Sequence, residues 1–272
     1  MIIRSLLLIA VLMLPAAARA QTSTPQADTS RVQKVNFLKP LFGRERNVWV
    51  AVPKAGAQGA NLLVVFDGPD FLDPIGLPAV LDSMTAAGAL PPTVAVLVDN
   101  GTGPTRIEDL GNRTLFANWV CDQLIPWMRA RYQLSNDPRR TAALGSSAGG
   151  LAAAFIALRR PEVVANGVSL SGAFWRNAEA KASPPWEWLT EQVATGQKRD
   201  VRLVLDVGER ETIRTLGGQG PSILDANRRL RDALRRRGYD FTYREAPGGT
   251  HSPESWRERL PAALDSLRFK TP

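Results

Sequence analysis

The chain holds a single cysteine and a single histidine among 272 residues. One cysteine, Cys121, excludes an internal disulfide, so the core has to hold together without a covalent staple. One histidine with one cysteine cannot supply the usual ligands of a zinc centre, so no metal is expected, and nothing in the sequence implies another cofactor. No apolar run after Leu14 is long enough to cross a bilayer. There is also no internal repeat and no low-complexity block long enough to divide the chain. With 44% hydrophobic residues, what remains is a chain able to build one sizeable core.

The first twenty residues stand apart from that core. "MIIRSLLLIAVLMLPAAARA" has an early charge at Arg4, an apolar run from Leu6 to Leu14 and a small-x-small ending at Ala18-Arg19-Ala20. This pattern predicts a secretory signal peptide cleaved after Ala20. The competing reading is a membrane anchor, but the run is about half of the roughly 20 residues a span needs. An exported protein is therefore expected, periplasmic in a two-membrane host or secreted, with no stable membrane insertion after cleavage. Residues 21–30, "QTSTPQADTS", read as a disordered leader, and 31–272 as a single domain.

Charge is unbalanced towards basic. Without Arg4 and Arg19 there are 32 basic against 26 acidic side chains, a net charge of +6. Much of the excess lies in "ANRRLRDALRRRG", where Ala226, Leu230, Ala233 and Leu234 recur at helical spacing and leave the arginines on the outer face. No aromatic residues interleave them, so a solvated helix face is favoured over a nucleic-acid surface. Cys121, in a helical pattern with Trp119 and Leu124, reads as a small core residue and not a reactive thiol.

Strand and helix signals alternate from there. "RNVWVAVP" (46–53) predicts a strand paired with the segment around Val35 and Phe37. "NLLVVFDG" (61–68) and "PTVAVLVDN" (92–100) are continuous apolar runs, as buried parallel strands should be. Further strands are predicted at 139–145, 166–172, 201–208 and 239–246. Helices are predicted at 75–88, at 113–132 with a kink at Pro126, at 148–159, after Ser222, and after Ser252 with Pro253 at the first position. "GTGPTRIEDLGN" reads as a loop. Apolar strands separated by helices predict an open, mostly parallel sheet of about eight strands covered on both faces. In such sheets the chemistry collects at the carboxyl ends of the strands.

Four of those ends carry suggestive residues. Gly145-Ser146-Ser147-Ala148-Gly149 fits G-x-S-x-G with Ser147 at the centre. Small residues two before and two after a nucleophile relieve clashes in a strained strand-to-helix turn, and the following helix aims free N–H groups at developing negative charge. Ser146 lacks that flanking, because Leu144 stands two before it. The alternative is a purely structural turn. His251, the only histidine, follows the last strand in "APGGTHSPE" and is the one imidazole able to serve as general base. "LDVGERET" offers Asp206, Glu209 and Glu211 as the acid. Glu211 is favoured because it lies three residues past Gly208, far enough round the turn to reach the next loop, with Asp206 and Glu209 as alternatives and a Ser-His dyad as the reading without an acid. An oxyanion hole needs two N–H groups. Ala148 supplies one. The other comes from "DGPDFLDP", and because Pro69 has no N–H it must be Gly68 or Asp70.

These segments, together with "VWVAVP", "LLVVFDGPDF", "VAVLVDN", the R-x-x-acid-L of Arg106 to Leu110, "LIPWMRARY", "GSSAGGLAAAFIALRRPEV", "SLSGAFW", "VGERE" and "GGTHSPESWRERL", resemble the putative-esterase branch of the α/β-hydrolase superfamily, enterochelin (ferric enterobactin) esterase-like. The resemblance runs from about Arg46 to Leu267. It implies an α/β-hydrolase fold, ester hydrolysis, a nucleophile at Ser147, a histidine at His251 and an acid at Glu211. Asp109 stands where the family usually has Glu, and Arg176 where a second Trp often follows Trp175. No room is expected for the N-terminal domain of the cytoplasmic enterochelin esterases.

Phe174, Trp175, Trp186 and Trp188 cluster after the 166–172 strand, with Arg106 and Arg176 as candidate neighbours. Arg106, Trp175 and Arg176 are read as substrate-binding residues for an aryl, anionic ester; the alternative is that the tryptophans pack a cap onto the sheet. The function expected is an exported serine esterase acting on a small-molecule ester. An acyltransferase on envelope sugars with the same residues, or a non-catalytic binding protein that kept the fold, are the alternatives. No nucleic-acid partner is expected, and the sequence leaves the oligomeric state open.

Overall fold

The computed structural model describes residues 31–177, 184 and 186–269. The expected signal peptide and leader, and part of the aromatic insert after Asn177, lie outside the described residues.

Eight strands form one sheet in the order β1-β2-β4-β3-β5-β6-β7-β8. β1 (Val32–Leu41) and β2 (Arg44–Ala51) make an antiparallel edge, with Val35 opposite Val48 and Phe37 opposite Arg46. β2 runs antiparallel to β4 (Thr93–Val98). From β4 onward every pairing is parallel: β3 (Asn61–Val65), β5 (Thr141–Ser146), β6 (Asn166–Leu170), β7 (Arg202–Gly208) and β8 (Asp240–Ala246). β3 to β7 are buried along their whole length, because helices cover both faces.

The pleat divides the apolar residues between two cores. Leu62, Val64, Val96 and Leu205 face one side. There they meet α4 (Thr114–Trp119), α5 (Ile125–Tyr132), α6 (Ala148–Arg159), α7 (Trp188–Thr195) and α8 (Ile223–Arg236). Leu63, Val65, Leu97 and Leu144 face the other side, against α2 (Leu77–Ala86) and α9 (Pro253–Asp265). This is the α/β-hydrolase fold. On α8 the residues Ala226, Leu230, Ala233 and Leu234 are buried as the spacing predicts. The outward arginines are engaged in ion pairs such as Arg228–Glu245 and Arg229–Glu187.

Two local expectations are corrected and one is refined. "GTGPTRIEDLGN", read as a loop, carries α3 (Gly103–Leu110), started by Pro104 in its first turn and anchored by the buried Asp109 and Leu110. A short α1 (Gly68–Leu72) follows β3 where only a loop was expected, again with a proline, Pro69, in the first turn. The long helical stretch expected over 113–132 is present from Thr114 to Tyr132, with right-handed helical backbone at both internal junctions, and its irregularity falls just before Pro126. A five-residue π turn, Val120–Leu124, joins α4 to α5, and Pro126 sits in the first turn of α5. The wider turn accommodates a residue that has no N–H to donate. Cys121 lies in this turn, buried. No helix among the described residues is long and apolar enough to cross a membrane.

Candidate active site

β5 ends at Ser146 and α6 begins at Ala148, leaving Ser147 alone in the turn with φ 54° and ψ −118°. A non-glycine residue is rare in this region. The backbone is held there by two bonds to the neighbouring strand end: Ser147 N–H donates to Leu170 O (2.9 Å), and Ala173 N–H donates to Ser147 O (2.9 Å). Small flanking residues are compulsory, since a Cβ on Gly145 would lie 2.4 Å from the carbonyl carbon of Gly149. Ser146, by contrast, is the buried last residue of β5, paired with Leu170.

The Ser147 hydroxyl lies 3.0 Å from His251 Nε2. The imidazole stands edge-on to Trp256, with centroids 5.0 Å apart, and its Nδ1 lies 2.6 Å from Glu211 Oε2. Of the three carboxylates that the sequence offers, the structure brings Glu211 to the histidine. Asp206 points from β7 to the other side, where Arg244 Nε (2.5 Å) and Arg259 Nη1 (2.7 Å) hold its two oxygens. Glu209 accepts from Gly248 N–H at 3.2 Å. Glu211 is buried. Burial pushes its carboxyl up, but hydrogen bonds from His251, Ser171 and the Gly208 N–H together outweigh this and hold it below the ordinary glutamate value. For Asp206 burial wins over both arginines, and its carboxyl is raised.

On the other side of the serine is the turn after β3. Asp67 adopts a left-handed conformation (φ 57°) and precedes Gly68. Its N–H donates to Asn100 Oδ1 (3.0 Å), and Asn100 Nδ2 donates to Asp109 Oδ2 (3.1 Å), which also accepts from Arg46 Nε (2.9 Å). The Asp70 N–H is engaged with Asp67 O at 3.0 Å. That leaves Gly68 as the available donor of the two candidates. Neither the Gly68 nor the Ala148 N–H has a hydrogen-bond partner among the described residues.

Of the residues expected to bind substrate, Arg106 is engaged with Asp67 at two points. Trp175 is buried, with Trp186 edge-on at 6.0 Å and the Arg176 guanidinium over its ring at 4.5 Å. Burial and, after it, the charge of Arg106 lower the Arg176 pKa. Trp188 packs on Phe155 instead (6.0 Å). A separate cleft of about 620 Å³, lined by Trp188, Phe155, Arg160 and Tyr239, lies at the carboxyl-terminal end of α6 and includes none of Ser147, His251 and Glu211. Sequence reasoning singled out the strand end at Asp67-Gly68 but missed Asn100, Ser171 and Arg259. Arg259 carried a signal: it falls on the buried stripe of α9 with Trp256, Leu260 and Ala263, and an arginine on an apolar face needs an anionic partner.

A family model described as "Putative esterase" matches residues 40–267, and the chain belongs to that Esterase family. It is similar to the iron(III) enterobactin esterases of Dickeya dadantii, 28% identical over 253 residues, and of Escherichia coli O6:H1, 29% identical over 249 residues. In each case 89% of this chain is matched, but only 55% and 58% of the relative, so the chain spans little more than half the length of these curated relatives. Among solved structures it resembles the enterobactin esterase of Shigella flexneri in the presence of 2,3-di-hydroxy-N-benzoyl-glycine. That likeness has a TM-score of 0.77 and 27% identity over 89% of this chain and 61% of the other.

Proposed function

We propose that this chain is an exported serine carboxylesterase that cleaves esters through Ser147, His251 and Glu211. The observation that carries the reading is the unbroken line from the Ser147 hydroxyl through His251 to Glu211, with contacts of 3.0 and 2.6 Å. His251 takes the proton as the Ser147 oxygen attacks the ester carbonyl, then returns it to the leaving alcohol. Glu211 orients the ring and stabilises the imidazolium. The Ala148 and Gly68 N–H groups receive the developing oxyanion. Water attacks the acyl-enzyme with His251 again as base, releasing the acid and restoring the serine.

The substrate class we favour is an aryl, anionic ester such as a catecholate siderophore lactone. The names of the relatives support it, as does the grouping of Arg106, Trp175 and Arg176, with the Arg176 guanidinium over the Trp175 ring and near enough to Arg106 to feel its charge. Export rests on the character of the first twenty residues, and places the enzyme in the periplasm or medium.

The test is hydrolysis by purified protein of 4-nitrophenyl acetate, a hydroxycinnamoyl ester and a catecholate trilactone, with fluorophosphonate labelling in parallel. Ser147→Ala is expected to lose at least ~10³-fold in kcat and all labelling, and Ser146→Ala to remain within about tenfold. A labelled, active Ser147→Ala protein would remove the mechanism. A sugar acceptor that diverts the acyl group from water would replace hydrolysis by acyl transfer.

A further inference from the structure

Behind Glu211 lies a buried polar cluster for which the mechanism above has no use. Ser171 directly follows β6 with φ 52°, again a left-handed non-glycine residue. Its hydroxyl receives Trp256 Nε1–H at 2.9 Å and Arg259 Nη2–H at 3.0 Å. Indole and guanidinium nitrogens only donate, and a hydroxyl has two lone pairs and one proton. Both lone pairs are therefore taken, and the Ser171 proton can go only to Glu211 Oε1, 2.5 Å away. The Gly208 N–H donates to the same oxygen at 2.8 Å, and Arg259 Nη2 stands 3.6 Å from it. Arg259 is 5% exposed, is ion-paired with Asp206 at 2.7 Å, which Arg244 shares, and also donates to Thr250 O at 3.2 Å, one residue before the histidine.

We propose that Arg259 and Ser171 are positioning residues that set the proton order of the Glu211–His251 pair. With two donors and a cation at Oε1, the carboxyl stays ionised. The proton between Oε2 and Nδ1 belongs to the histidine, and Nε2 is left as the acceptor facing Ser147. The base is thus poised by a cation it never touches, relayed through one hydroxyl whose direction is forced. This rests on the esterase reading for its kinetic readout only.

Other charged groups lie on the elements packed around the pair. Asp206 comes from β7, Glu209 and Arg210 from the loop after it, and Arg244 from β8. Glu254, Arg257 and Glu258 lie on the exposed face of α9, and the Asp67–Arg106 pair lies beyond Ser147. The variants below leave all of these in place. Removing a cation or a donor near Glu211 makes the carboxylate a stronger partner for an imidazolium, so His251 should protonate at higher pH.

His251 is the sole histidine, so the full chain without a histidine tag, labelled with ¹⁵N-histidine, gives one imidazole to follow by NMR, with no substrate present. We expect wild type to show the neutral Nδ1–H tautomer. Arg259→Gln and Ser171→Ala should raise the His251 titration midpoint by about half a pH unit or more. Arg259→Lys, which keeps the charge, should stay near wild type, and Trp256→Phe, which frees the Ser171 hydroxyl to rotate, should give a smaller rise. The acid limb of kcat/KM on 4-nitrophenyl acetate should follow. Unchanged tautomer and midpoint in the folded variants, with only a lower melting temperature, would reduce the cluster to scaffolding and overturn the proposal. If Arg259→Gln and Ser171→Ala do not fold, Arg259→Lys and Trp256→Phe decide: equal midpoints in wild type and Trp256→Phe, or a shifted midpoint in Arg259→Lys, overturn it. An inactive wild type with the NMR result intact would sink the esterase reading alone.

Discussion

Arg106 grips Asp67 at two points, Nε to Oδ1 at 2.6 Å and Nη2 to Oδ2 at 2.7 Å, immediately before Gly68. The Asp67 side chain is 4% exposed and that of Arg106 25%. Burial pushes the Asp67 carboxyl up, against the pull of Arg106. The pair thus fixes the Gly68 turn as well as placing a guanidinium at the rim.

Replacing Arg106 separates these two duties. Arg106→Met is expected to lower kcat about tenfold or more on neutral and anionic aryl esters alike, because the oxyanion turn loosens. Steady-state kinetics on both esters is the check. A rise in KM confined to the anionic ester would assign Arg106 to substrate contact alone.

Gly145 cannot carry a side chain. A methyl group there meets the Gly149 backbone at 2.4 Å, so Gly145→Ala must open the turn between β5 and α6. We expect a loss of about 1–3 kcal/mol in chemical denaturation, with kcat falling further than stability alone explains.

Cys121 should be inert in the folded protein. Its thiol is pushed up to about 12, chiefly by burial, and the residue is 2% exposed, so almost no thiolate exists at neutral pH. An aromatic disulfide reagent should react with less than about a tenth of the protein until denaturant is added; fast reaction under native conditions would contradict the packing.

Glu211 makes acid stability testable. Its folded carboxyl lies below the ordinary 4.5, so the unfolded chain takes up that proton first as pH falls. The stabilisation is complete above the ordinary value and is lost as pH drops through the lowered one. Wild type should lose more unfolding free energy than Glu211→Gln between about pH 6 and about pH 3.5 in urea titrations. An equal loss would mean that Glu211 is not held in its charged form.

Much of this was legible beforehand because it is written in local patterns. Continuous apolar runs announce buried parallel strands, and β3, β4 and β7 lie where those runs are. Ser222 and Ser252 were readable as caps, and each accepts from the N–H three residues on, Asp225 and Ser255. The spacing of Gly145 and Gly149 around Ser147 is likewise a local steric demand. α3 was missed because Gly103-Pro104 reads as a breaker, whereas proline in a first turn starts a helix.

What the sequence determined by itself is the alternation of strands and helices, the elbow at Ser147 and the identity of the one imidazole available to it. What the tertiary structure decided is partnership. Position past Gly208 favoured Glu211 over Asp206 and Glu209, but only the packing of β8 and α9 beside β7 sends Asp206 to Arg244 and Arg259 while Glu211 turns towards His251. Gly68 and Asp70 differ as donors only because α1 consumes one N–H. Ser171 and Arg259, 88 residues apart, meet because α9 packs on the face of the sheet where β6 ends. Side-chain direction and long-range contact are properties of the packed sheet, and no window of sequence contains them.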